Sequence, residues 1–324
     1  PNQAYRPVVT ATTAIDYWLG NGLNPFYFHL STFILFIAQG ILMYFLYLRI
    51  FDLACKQEWN KFVALFGTAW YLLHPANAET VNYILARSDS ISTLFVVIAF
   101  VLYVYSPLCR KWHFYLFPVL LGVLAKPTAV MFGPLLFVYV LLFDEKTDLM
   151  RQLSRKKTSG HLLNAVRKTS VALLFCVCMF VFVRTMDSAT WVPGGTSRFH
   201  YLITQPYVLL HYFTTFFLPV SLSADTDWRP LDTLLDRRFF IGISFVISLA
   251  YAALKASKYE NLRPVSFGIL WFFISLLPTS TVIPLAEVMN DHRLFFPYVG
   301  LTMSICWLLF LARERTKKSF FSEK

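Results

Sequence analysis

The chain has 324 residues, 57% hydrophobic and 15% charged, with a formal net charge of +11 and a mean hydropathy of +0.55. Soluble domains carry roughly 25% charge and about 45–50% apolar residues, and a body of this size cannot bury so much apolar surface in one core. The composition therefore excludes an ordinary soluble domain, and its basic residues fall in short segments between apolar runs, not on the single face that nucleic acid binding needs.

Residues 1–27 mix aromatics and threonines with one arginine, Arg6, and read as an amphipathic segment lying in the membrane interface. Apolar runs long enough to span follow at 28–51, 90–107, 166–184, 238–256, 264–285 and 296–312, each near the ~17–25 residues a bilayer crossing takes. Two more, 62–75 and 113–143, are interrupted. The second divides into two helices near Ala125-Lys126-Pro127-Thr128, because proline removes a donor and disfavours helix in the residue before it. The run 203–220 reads as an interfacial or re-entrant helix, with a further span as the alternative. The expectation is an all-α polytopic membrane protein with a single transmembrane domain over 1–324.

Lysine and arginine set the orientation. Segment 144–168 holds seven, 313–324 holds five, and Arg110-Lys111 and Lys56/Lys61 mark two more basic turns; all are expected on the cytosolic side. The loops 1–27, 75–89, 125–128, 185–237 and 286–295 then face outward. The cysteines Cys55, Cys109, Cys176, Cys178 and Cys306 leave no pair in those outward loops, so no disulfide is expected, and Cys176-x-Cys178 within an apolar run is poor metal spacing.

Four polar clusters lie on the outward side. The first runs from His74-Pro75 through Glu79, Asn82 and Tyr83 to Arg87-Ser88-Asp89. A helix is expected to begin near Asn77, placing Glu79, Asn82 and Tyr83 on one face and Arg87 with Tyr83. Ionisable groups beside hydrocarbon usually face protein or a water-filled cavity; otherwise Glu79, Arg87 and Asp89 pair among themselves. The second is Lys126, which can snorkel to the headgroups or meet a lipid phosphate. The third, Asp225-Thr226-Asp227, offers too few oxygens for a hard cation and reads as a solvated turn. The fourth, Glu287 to Tyr298, packs Glu287, Asn290, Asp291, His292 and Arg293 ahead of aromatics and a span. Arginine suits bidentate phosphate recognition; an interfacial anchor belt is the alternative. Soluble nucleotide-binding motifs such as Gly-x-Gly-x-x-Gly do not occur.

Tyr5-Arg6-Pro7, Asn24-Pro25-Phe26-x-x-His29, His74-Pro75…Glu79-x-Val81…Ala86-Arg87-Ser88-Asp89, Lys126-Pro127-Thr128-Ala129 and His292-Arg293-Leu294-Phe295-Phe296-Pro297 follow one another along the chain. In that order they resemble the membrane portion of the transmembrane and tetratricopeptide-repeat (TMTC-type) O-mannosyltransferases and their bacterial relatives. The resemblance implies a type C glycosyltransferase (GT-C) bundle of about 8–10 membrane helices, as an expectation carried over from that family. It also implies transfer of a sugar, mannose among the options, from a polyprenyl-phosphate donor to a protein or glycan hydroxyl outside the cytosol. The family's acidic motif would precede Pro1 and its repeats would follow Lys324, so the chain is expected to be a fragment lacking the principal catalytic acid. At Lys126-Pro127-Thr128 relatives often carry a carboxylate where this chain has Pro127, which weakens an acidic role there.

On this reading Arg293, Arg87, Lys126 and, more weakly, Arg6 contact the lipid phosphate. Glu79 and Asp89 orient those cations, and Glu287, Asp291, His292 and His74 support them. The partners are a polyprenyl-phosphate-linked sugar, an acceptor and membrane lipid. No cofactor is firmly implied, no metal ligand set is assigned, and a divalent metal is an open option. The endoplasmic reticulum membrane and the bacterial inner membrane fit equally. The rival readings are a transporter or flippase for lipid-linked sugars, against which no internal repeat is found, and an inactive membrane scaffold.

Overall fold

The computed structural model describes residues 5–153, 160–186, 196–220, 222–223, 226, 228–280, 284–285 and 287–322, with side chains described through Arg315. Among the described residues every regular element is helical. Six helical stretches are long and apolar enough to cross a membrane: Pro25–Ala54, Ile84–Tyr105, Pro127–Asp144, Gly160–Met186, Arg237–Ser257 and Asp291–Arg315. The chain is an integral membrane protein.

Local sequence explains the boundaries. Helix α1 (Pro7–Leu19) opens with proline at its first position. The next, α2 (Pro25–Ala54), repeats that device, and the Asn24 side chain accepts the Phe26 amide at 3.1 Å, satisfying one of the donors a helix start leaves unpaired. Helix α3 (Asn60–Leu73) stops at His74, which precedes Pro75 and is extended, as pre-proline sterics require.

The helix expected from Asn77 onward is broken. A short α4 (Ala78–Asn82) ends at Tyr83, whose ψ of 109° is extended, and α5 (Arg87–Tyr105) starts afresh. Arg87 therefore belongs to a separate helix and does not share a face with Tyr83, while Glu79, Asn82 and Tyr83 stay together on one short segment. Beyond α6 (Pro107–Lys111), α7 (Leu116–Ala125) ends at an extended Lys126, and a 3-10 turn at Pro127–Met131 leads into α8 (Phe132–Tyr139). This is the break expected at Pro127.

Beyond α9 (Leu149–Leu153) and α10 (Gly160–Met186), α11 (Arg198–Phe217) carries Pro206 in its interior. Next come α12 (Arg237–Ser257) and α13 (Arg263–Leu276), much shorter than the run 264–285 suggested because the chain turns at Pro278. The last, α14 (Phe295–Ser322), follows a 3-10 turn at Asp291–Leu294. Helices α13 and α14 pack most intimately. A methyl group on Gly268 would meet the Gly300 carbonyl oxygen at 2.2 Å, the close backbone approach that small residues permit between membrane helices.

The core runs the length of the bundle, with Trp271, Trp307, Tyr47, Phe100 and Tyr139 all buried. Polar contacts collect at its two ends. At one, Asn60 donates to Asp52, Lys168 to Glu145 and Arg263 to the Lys146 carbonyl, and Arg110 pairs with Asp144 at 3.6 Å. The other holds Arg6, Glu79, Asp89, Lys126 and the Glu287–Arg293 segment. The five cysteines are free.

Candidate functional site

The site grows from Asn290. Its backbone N–H donates to the Tyr212 hydroxyl, 3.0 Å away, and that hydroxyl in turn donates to the Asn290 carbonyl, tying the segment to α11. The Asn290 side chain accepts the His292 amide at 3.1 Å and donates to the Glu287 carboxylate. This capped turn sets the positions of His292 and Arg293 at the head of the last membrane helix. Across from it, α4 presents Glu79, and His292 Nδ1 lies 3.6 Å from Glu79 Oε1. Between them is a cleft of about 620 Å³ lined by Ala78, Glu79, Asn82, Tyr83, Glu287, Asn290 and His292.

The Glu79 carboxyl is pushed up to about 7, first by burial and then by the negative charges of Asp291, Glu287 and Asp89. Four carboxylates thus share one field. Lys126 donates to both oxygens of Asp89 at 2.6 Å. Burial still draws its pKa below the usual lysine range against the opposing pull of Asp89, and the charges of Arg6 and Arg293 add to the lowering. The cations of three separate segments therefore act on one another.

Their neutralisation differs. Arg293 donates to the carbonyls of Glu287 and Val288 at 3.0 and 3.5 Å. Arg6 donates to the Ser88 hydroxyl at 3.1 Å and has a buried Nε without a partner. Among the described residues neither arginine has a carboxylate within ion-pair distance, whereas Lys126 does.

Arg87, expected at the phosphate, is enclosed elsewhere. It is fully buried, pairs with Asp16 of α1, and donates to the Phe28 carbonyl, to Ser31 at 2.8 Å and to Thr32 at 3.0 Å. Ser31 donates to the same Asp16 carboxylate at 2.8 Å. The break at Tyr83 is the physical reason, since it frees α5 to turn Arg87 toward α1 and α2. Asp16 was missed. It is the one carboxylate in an otherwise threonine- and aromatic-rich opening, and it is the buried residue of α1, so a charge pair docks this helix on the bundle.

His74 also turns inward. Its Nδ1 accepts the Ala76 N–H at 3.2 Å, so Nε2 carries the proton donated to the Phe216 carbonyl at 3.0 Å, and the ring stacks on Phe216. Burial lowers its pKa, which keeps it neutral. Asp291 accepts the Ser223 amide at 3.0 Å, and its other oxygen is buried, 4.0 Å from His211. Asp225 and Asp227 lie outside the described residues. Among the described residues no group of three or more His, Cys, Asp or Glu side chains is placed to hold a metal ion.

With this geometry in place, the comparisons align with the motif resemblance. Human protein O-mannosyl-transferase TMTC3 is 20% identical over 332 aligned residues, covering 92% of this chain and 35% of that protein. The chain resembles the TMTC O-mannosyltransferases. Human TMTC1 is 30% identical over 103 residues and mouse TMTC4 27% over 108, each covering 32% of this chain and, respectively, 11% and 15% of the relative. The chain thus spans about a third of TMTC3's length or less of the others. No family model and no solved structure matches.

Proposed function

We propose that the chain is the membrane portion of a glycosyltransferase that moves a mannosyl residue from a polyprenyl-phosphate donor to a protein hydroxyl on the non-cytosolic face. The observation that carries the reading is Arg293. It is a cation with no carboxylate partner among the described residues, anchored beside a cleft whose wall holds a carboxyl ionising near neutrality. The sidedness follows from the basic loops at the opposite end of the bundle.

In the reaction the acceptor oxygen bonds to the anomeric carbon, the carbon–oxygen bond to phosphate breaks, and the lipid phosphate departs with the electron pair. Negative charge builds on that phosphate, so preorganised cations stabilise the transition state more than the ground state. Arg293 and Arg6 are the cations available for it, with Lys126 held by Asp89 behind them. The acceptor hydroxyl proton must go to a base. Glu79, expected from sequence to orient a cation, is better suited to receive that proton, because it lines the cleft and a base poised near the working pH is the efficient one.

The test is transfer by purified, detergent-solubilised full-length protein given a polyprenyl-phosphate mannose donor and a peptide acceptor. Mannosylated peptide is the expected product. Absence of product, together with donor movement across sealed vesicles, would replace the enzyme with a lipid-linked sugar transporter.

A further inference from the structure

A second cavity, of about 410 Å³, opens at the basic end of the bundle, on the opposite side from the cleft. Arg49, Val104, Tyr105, Pro107, Arg110 and Lys111 line it. Arg49 lies near the end of α2 with its guanidinium 5.8 Å from the Tyr105 ring centroid. Its Nε is buried without a hydrogen-bond partner, and among the described residues it makes no ion pair. Such an orphaned, charged donor calls for an acceptor.

Arg110 spends two of its nitrogens on the Tyr103 carbonyl, at 3.2 and 3.1 Å, and lies 3.6 Å from Asp144. Lys111 is exposed and forms no ion pair among the described residues. Asp144 lies beside Arg110 and the charge of Asp52 also reaches Tyr105, so the three cations outnumber the two carboxylates and leave the net positive charge that suits a phosphate. The rim is not that of a soluble anion site: Phe45, Leu108 and Trp112 are 42%, 60% and 61% exposed beside it. In a membrane protein those side chains face acyl chains or the interface.

We propose that this cavity binds the phosphate headgroup of an anionic membrane lipid in the leaflet at the basic end of the bundle, independently of whatever the cleft does. Arg49 and Lys111 grip the phosphate oxygens, Arg110 supplies additional charge, and the acyl chains lie along Phe45 and Leu108.

Native mass spectrometry of the detergent-purified chain tests this, with dioleoyl phosphatidic acid and dioleoyl phosphatidylcholine as probes. Wild-type protein should retain the acidic lipid preferentially. Arg49→Gln and Lys111→Gln should each cut that retention by about tenfold, the cost of one charge-assisted contact, and Lys61→Gln should leave it unchanged. Lys111 is exposed, so its variant reports on binding even if Arg49→Gln impairs folding. Retention undiminished in Lys111→Gln, or an equal loss in Lys61→Gln, would overturn the site. Displacement of the lipid by millimolar inorganic phosphate would also overturn it, in favour of a soluble-anion pocket.

Discussion

Replacing Arg87 should damage the fold before it damages chemistry. The guanidinium is fully buried and holds Asp16, Ser31, Thr32 and the Phe28 carbonyl together. In Arg87→Ala the Asp16 carboxylate, itself 2% exposed, keeps only the Ser31 hydroxyl among the described residues. Breaking one side of a buried pair costs about 3–5 kcal/mol, mostly from the charge left behind. Asp16→Ala should cost a similar amount, since it strands the guanidinium. The double change Asp16→Leu with Arg87→Met removes both charges and should recover most of the loss, because a buried pair replaced by apolar groups is often neutral. The assay is thermal unfolding in detergent, followed by intrinsic fluorescence, alongside mannosyl transfer by the full-length protein. The reasoning fails if Arg87→Ala melts like wild type while transfer is abolished. That result would return Arg87 to the phosphate.

Three further outcomes are expected. Glu79 has a folded pKa near 7, raised above its usual value of 4.5, so its ionised form grows as pH rises through 7. Transfer should climb over that window and Glu79→Gln should flatten the profile. The same shift means the fold favours the protonated acid, so wild-type stability should fall from pH 4.5 to about 7 and level off above it; Glu79→Gln should lack that slope in pH-dependent melts. Lys126→Met leaves Asp89 without its cation and should cost both stability and transfer, with Asp89→Asn in the same background restoring stability but not transfer. Gly268→Ala drives a methyl into the Gly300 backbone and should destabilise by about 1–3 kcal/mol, readable as a lowered melting temperature.

Much of the fold was legible because lipid imposes a length and an apolar composition on each crossing. The helix at Pro25–Ala54 and the break at Lys126-Pro127 follow directly from a long apolar run and from proline chemistry. The short α13 was less legible: 264–285 reads as one span, but the helix ends at Leu276, since mean hydropathy over a run reports the environment and not the backbone path. The Glu79 cluster and the Glu287–Arg293 segment were visible as ionisable residues flanking spans, and the structure sets them across one cleft. Which charge pairs with which was not visible. Asp16 and Arg87 are 71 residues apart, and nothing in a linear pattern assigns such a partner. The extended residue at Tyr83, which redirects Arg87, lacks a proline or glycine to announce it.

Arg293→Ala in the full-length protein is the measurement that bears most directly on the proposed chemistry. With a polyprenyl-phosphate mannose donor, loss of this cation should slow transfer by roughly a hundredfold or more, the usual cost of one preorganised transition-state contact. The melting temperature should change modestly, because the partners described for Arg293 are the carbonyls of Glu287 and Val288 and the Tyr201 hydroxyl, none of them a charge left unpaired by its loss. A folded Arg293→Ala protein that transfers mannose at the wild-type rate would contradict the account.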